Sequence, residues 1–343
     1  MRNLEILDCT LRDGAQTNGG RFGDEAIQNI ILGLRDARID MIECGFIKDT
    51  DFEEGRTYYP QPSYAKKYIP KCKKNATYVA LVDYGRYDVE QLEECDNQTF
   101  DFLRISLFEK DIDNVKDFAI KVKEKGYRFS IQPMDTYSYS EENLKKIIAV
   151  ANEVKPETLA MVDTYSLATQ EDVERVYAIY EKYLDKDIKI GFHSHNNQLN
   201  SLALAEKFMA ITSPERDIVI DSSLLGMGRG GGNLNTELFL EHLMKYNIKS
   251  YNIKPILDLI DNYILDFHKR FEWGYSMPML YAGLYGVHVN TTAYLAQKPN
   301  ISSYDLRCMF EMLDEHKKKR YDYDYLDEIY GEYMKKKEGL KNE

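Results

Sequence analysis

Asp13, His193 and His195 are the residues from which chemistry is read first. A divalent cation takes neutral imidazole nitrogens and a hard carboxylate, and these three side chains supply that set. His193 and His195 stand two apart at the end of an apolar run over residues 188–192. In a strand such a pair projects to one side, so both imidazoles can reach one ion. Asp13 follows a different apolar run, residues 4–7, within Leu7-Asp8-Cys9-Thr10-Leu11-Arg12-Asp13-Gly14. Arg12 beside it reads either as half of a loop ion pair or as a fork for a substrate carboxylate or a developing enolate. Asn196 and Asn197 follow the histidines, where they can orient the imidazoles or ligate through their carbonyl oxygens.

Elements must bring these residues together. Short apolar runs at residues 4–7, 41–46, 78–82, 102–107, 129–132, 159–162, 188–192 and 218–220 predict strands. Helical patterns alternate with them, clearest over 24–38, 112–125, 141–154, 170–183 and 199–210. Eight strand–helix repeats predict a parallel sheet closed as a (β/α)8 TIM barrel, with an open doubly wound sheet as the competing architecture. In a barrel the segments after the strands share one face, where active sites are built. Those segments hold Arg12, Asp13, Gln16, Thr164, His193, His195, Ser222 and Asn233. Glu43, Arg104 and Gln132 lie within strand ends, and charges there need partners that a barrel mouth supplies.

The rhythm changes after residue 250. Residues 252–271, 278–296, 303–316 and 323–337 read as helices, and the charged tail 335–343 as frayed. The division is therefore a barrel over 1–250 and a C-terminal helical extension over 251–343. Gly226-Met227-Gly228-Arg229-Gly230-Gly231-Gly232-Asn233 contains a formal GxGxxG, but the ribose-binding acid of a dinucleotide fold is missing. A lid, or backbone amides facing an anion, fits it as well, and Asn233 stands where a helix N-cap belongs. His288 and Tyr275 lie in the C-terminal region, and His242, His268 and His316 in charged helical contexts that read as solvated.

Composition narrows the class. The formal charge is −12, which argues against a general nucleic-acid or membrane surface. Five cysteines without a CxxC pair suit neither a disulfide framework nor a structural zinc knot. With no signal-like N-terminus and no long apolar span, a reduced cytoplasmic protein is expected.

Three segments, LDCTLRDGAQ, FHSHNN and DSSLLGMGRGGGN, resemble the signatures of the DRE-TIM metallolyases, a superfamily that includes 3-hydroxy-3-methylglutaryl-CoA lyase. The similarity covers residues 3–245. It implies a (β/α)8 barrel holding a divalent ion on Asp13, His193 and His195, with Asn233 approaching it, and enolate chemistry with Arg12 stabilising the negative oxygen. The second motif and the short glycine-rich loop most resemble 4-hydroxy-2-oxovalerate aldolase. That aldolase carries a catalytic His where this chain has Gln16, so proton transfer is expected of His288, with Tyr275 as a second candidate, in the region that covers barrel mouths in such enzymes. The expected reaction is making or cleaving a C–C bond through a pyruvate enolate, with Mn²⁺ the favoured ion and Mg²⁺, Zn²⁺ or Co²⁺ also suited. Thr164 and Ser222 are expected on the substrate carboxylate. An acyl-CoA-dependent Claisen synthase or lyase is the alternative, favoured by Gln16 and Glu43 but with Arg229 alone for the CoA phosphates. A non-catalytic metal-bound partner subunit is a third reading. The expected ligand is a 2-oxo acid, with a homodimer through the C-terminal helices.

Overall fold

The structure, a computed structural model, describes residues 3–73, 76–319 and 321–341. Eight parallel strands form the frame: β1 Leu4–Asp8, β2 Met41–Ile47, β3 Thr77–Asp83, β4 Phe102–Leu107, β5 Arg128–Pro133, β6 Thr158–Asp163, β7 Lys189–Ser194 and β8 Ile218–Ser222. β1 pairs with β2 on one side and β8 on the other, in register from Leu4↔Ile218 to Asp8↔Ser222, which closes the sheet. The (β/α)8 barrel therefore holds and the open sheet does not. A two-residue strand, Tyr58–Tyr59, adds to the outer end of β2.

Both faces of such strands are covered, so they read as continuous apolar runs; all seven residues of β2 are buried. Helices α1 Asp24–Asp36, α2 Val115–Glu124, α3 Glu141–Val154, α4 Gln170–Tyr183, α5 Ser201–Ile211 and α6 Thr236–Lys245 pack outside. In α3 the buried residues Leu144, Ile147, Ile148 and Ala151 recur at helical spacing, and Ser140 caps the start by accepting the Asn143 N–H. Among the described residues the connections after β2 and β3 carry 3₁₀ turns, Pro62–Ala65 and Val89–Gln91, and no α-helix, where strand–helix alternation predicts helices. Pro60, Pro62 and Pro70 bar a helix in the first of them.

Inside the barrel the side chains stack in layers. Leu7, Met41, Val79, Phe102 and Val219 make an apolar layer. Two residues further along their strands, Glu43, Arg104 and Asp221 make a charged one, joined by Gln132 and His193.

Beyond β8, α7 Ile253–Leu259 continues through a π-helical turn, Ile260–Ile264, into Leu265–Arg270. Its Ile256, Leu259, Ile264 and Phe267 belong to the barrel core. The single helix expected over 278–296 is two, α8 Met277–Tyr285 and α9 Val289–Ala296, because Gly286 takes a left-handed φ of +64° and ends the first. α10 Ser303–Met312 and α11 Tyr323–Lys341 follow, and Val287, Leu295, Leu306, Phe310, Leu326 and Ile329 form a second core. The tail expected to fray is helical to Lys341: its Lys and Glu residues are good helix formers, and Lys337 pairs with Asp305 at 2.8 Å. Residues 342–343 lie outside the described residues. Among the described residues no helix is long and apolar enough to cross a membrane.

Candidate metal centre and active site

β1 ends at Asp8, and the chain turns at once into the helical turn Thr10–Asp13. The Asp8 carboxylate accepts the Thr10 N–H at 3.0 Å, and the Thr57 hydroxyl donates to the Leu11 carbonyl at 2.9 Å. The turn thereby carries Arg12 and Asp13 over the barrel. His193 lies near the end of β7 and His195 just beyond it. One ligand atom from each of Asp13, His193 and His195 lies within 4.8 Å of the others, and all three residues are buried.

The remaining ring nitrogens are spoken for. His193 Nδ1 lies 2.9 Å from Asp221 Oδ2, and His195 Nδ1 lies 3.2 Å from the Gly232 carbonyl. A proton on each Nδ1, donated to these acceptors, leaves both Nε2 lone pairs for an ion. Asn233 donates its amide to Asp13 Oδ2 at 2.6 Å and to the Met227 carbonyl at 3.1 Å. Its Oδ1 is buried with no hydrogen-bond partner among the described residues. An orphaned carbonyl oxygen beside a carboxylate and two imidazoles is what a divalent ion would satisfy, so this donor set fits one. Asn233 does not cap a helix, the alternative to a place at the ion; α6 starts after Asn235.

A chain of buried charge supports these ligands. Arg12 donates to Glu43 through Nε and to Asp13 through Nη1, each at 2.7 Å. Arg104 donates to Glu43 at 3.1 Å, to Gln132 at 2.8 Å and to Asp221. Buried ions persist only when paired, and here each has two or more partners. Burial pushes the Asp13 carboxyl up, but Arg12, His195 and His193 together hold it well below the usual carboxylate range. For His195, burial dominates and lowers it to about 4 despite Asp13, with His193 and Arg229 adding to the fall. Its imidazole is therefore neutral at pH 7, as a metal ligand must be.

A cavity of about 280 Å³ opens over this centre. Arg12, Asp13, Gln16, Thr164, His193, His195 and His288 all line it. Four expected site residues do not: Asn233, which stands behind Asp13, and Glu43, Ser222 and Tyr275. Glu43 is fully buried behind Arg12 and grips arginines instead of facing the cavity. Ser222 is one step along β8 from the inward-facing Asp221, so it points the other way, where its hydroxyl lies 2.8 Å from that of Thr236. Tyr275 lies before α8, is 51% exposed and does not line the cavity. His288 caps α9 by accepting the Asn290 N–H at Nδ1, 3.0 Å away. Burial, with Arg229 and His195 acting the same way, pushes this imidazole down to about 3. It is therefore neutral with its proton on Nε2. Sequence reasoning missed Asp221, because a strand read as 218–220 put it in a loop; its two-residue spacing from Val219 was the available signal.

A family model described as HMGL-like matches residues 3–261. The chain belongs to the HMGL-like family. The three signature segments accord with this, and the chain is an enzyme of the carbon–carbon lyase kind, not a non-catalytic subunit. In this HMGL-like enzyme Asp13, His193 and His195 form the candidate site for a divalent ion. It is 24% identical over 313 residues, 89% of each chain, to a 4-hydroxy-2-oxovalerate aldolase of Bacillus thuringiensis (strain Al Hakam). It is 25% identical over 243 residues, 70% of each chain, to an oxaloacetate decarboxylase of Mycobacterium tuberculosis. In fold it resembles the N-terminal domain of a putative aldolase from Bacteroides vulgatus, with a TM-score of 0.73, 22% identity, and 86% of this chain and 98% of that one covered.

Proposed function

We propose that the enzyme is a divalent-metal-dependent aldolase that cleaves or makes 4-hydroxy-2-oxo acids through a pyruvate enolate. The observation that carries this is the convergence of Asp13, His193 and His195 with Arg12 on one cavity. Manganese suits the donor set, as do magnesium, zinc and cobalt, and such an ion supplies Lewis-acid polarisation of the 2-oxo group. Arg12 is fixed through Nε and Nη1, and Nη2 is kept for the enolate oxygen. The Thr164 hydroxyl, whose oxygen already accepts the Asp135 N–H at 2.8 Å, and the Gln16 amide offer donors to the substrate carboxylate.

His288 was expected as the base that takes the 4-hydroxyl proton. With Nδ1 occupied by the Asn290 N–H, its Nε2–H instead donates to that oxygen and orients it. We assign proton acceptance to Asp83, the carboxylate of the cavity wall outside the proposed ion site. A small 2-oxo acid suits the cavity volume, and the burial of Glu43 removes one support for the acyl-CoA reading.

Pyruvate release from 4-hydroxy-2-oxo acids, measured with Mn²⁺ and with EDTA, tests the proposal. Pyruvate that appears with the metal and stops with the chelator is expected. No pyruvate from metal-loaded protein would overturn the aldolase assignment, and calorimetry with acetyl-CoA would then test the Claisen reaction.

A further inference from the structure

The cavity wall holds more positive charge than its carboxylates neutralise. Arg12 and Arg104 are paired with Asp13, Glu43 and Asp221, and Arg86 lies 3.7 Å from Asp83. Arg229 and Lys48 also line the cavity, and neither has a carboxylate within ion-pair distance among the described residues. Lys48 sits over the Tyr58 ring, 4.8 Å from its centroid. The Nε of Arg229 is buried and has no hydrogen-bond partner among the described residues.

Nor is Arg229 free to leave. Its flanking carbonyls are held from outside the loop: Gly228 by the Thr17 hydroxyl at 3.0 Å, Gly230 by the Gly274 N–H at 2.9 Å. Its own carbonyl accepts the Gly232 N–H at 3.0 Å, and the Gly231 N–H is tied to Asn197 at 2.9 Å. A half-buried guanidinium on a clamped backbone, facing the cavity with its Nε shut away from water and without a carboxylate, is costly to keep unless an anion joins it.

We infer that Arg229, assisted by Lys48, binds a second anionic group of the substrate, so that the substrate is a 2-oxo acid carrying a carboxylate or a phosphate at its far end. This rests on the proposed function to the extent that the ion and Arg12 take the 2-oxo carboxylate end. Arg229 and the exposed Lys48 then remain for the other end, and a guanidinium is matched in shape to either oxyanion.

The test is calorimetric and uses ligands that lack a 4-hydroxyl and cannot be cleaved. 2-Oxoglutarate and 2-oxopentanoate share a five-carbon skeleton and differ in a terminal carboxylate against a methyl group. On the Mn²⁺-loaded full chain, 2-oxoglutarate should bind at least about tenfold more tightly. Arg229→Met should erase most of that advantage while leaving 2-oxopentanoate within about threefold, and Lys48→Met should erase part of it. A third ligand, 2-oxo-4-phosphonobutanoate, separates the two anions: tighter binding than 2-oxoglutarate assigns phosphate, weaker binding carboxylate. Equal affinities for 2-oxoglutarate and 2-oxopentanoate on the unsubstituted protein, or no binding of either anionic-ended ligand, would overturn the inference without recourse to any variant. So would an advantage that survives Arg229→Met. Should the anionic preference hold while no 4-hydroxy-2-oxo acid yields pyruvate, the reaction assignment fails and the second-anion site stands.

Discussion

Asp13 does two things with one carboxylate: Oδ1 accepts Arg12 and Oδ2 accepts Asn233. Asp13→Asn and His195→Ala should each lower kcat/KM more than about a hundredfold and abolish tight Mn²⁺ binding, with the circular-dichroism spectrum unchanged. Activity surviving both changes would sink the metal assignment. Asp8 supports the turn from beneath and carries a proton-linked signal of its own. Burial raises its carboxyl to about 6, against hydrogen bonds from Thr10 and Thr236 and with a further push from Glu237. A raised carboxyl stabilises the fold fully at low pH, and that contribution is lost as pH climbs through 6. Asp8→Asn should therefore gain Tm relative to the unsubstituted protein between pH 5 and pH 7.5; a constant difference would show that Asp8 does not titrate there. The ligand-type residues were legible because HxH after one apolar run and RDG after another are local patterns. The charged floor was legible only as a demand: Glu43, Arg104 and Gln132 needed partners, and which partners they found depended on barrel closure.

At the scale of elements, the glycine-rich segment behaves as a wall and not as a hinge. A Cβ at Gly228 would lie 2.4 Å from Asn233 Nδ2 and 2.9 Å from Asp13 Oδ2, so no other residue leaves the centre in place. Gly228→Ala should weaken Mn²⁺ binding by about tenfold or more at little cost in Tm, read by calorimetry and thermal melts. Its formal likeness to a nucleotide loop came from glycines that are needed for close approach of backbone to the site. The short strand–helix phrases were readable because parallel strands are apolar throughout and the outer helices keep a stripe. Ser222 and Asp221 were misjudged for one reason, since polar residues at a strand end look like loop until their facing is known. The break of the 278–296 pattern at Gly286 was hidden because both helices on either side are apolar.

For the molecule as a whole, two cores meet one cavity: His288, Asn290 and Tyr321 from the C-terminal region line it together with barrel residues. A chain ending at Ser276 keeps the barrel core, which extends to Trp273. It should retain Mn²⁺ binding, yet lose turnover by about a hundredfold or more because the donor at His288 is gone. Unchanged turnover in that shortened chain would remove the C-terminal helices from the mechanism. The seam between β1 and β8 carries a consequence for biosynthesis. Asp13 leaves the ribosome early, His193 and His195 follow at the end of β7, and Asn233 emerges only after the last barrel strand has been made. The nascent chain cannot hold its ion until the first strand has waited for the eighth, so metal capture is a timestamp for completion. Amide exchange along Leu4–Asp8 should accordingly slow when Mn²⁺ is added to the finished protein, and exchange indifferent to the ion would show that the seam is sealed without it.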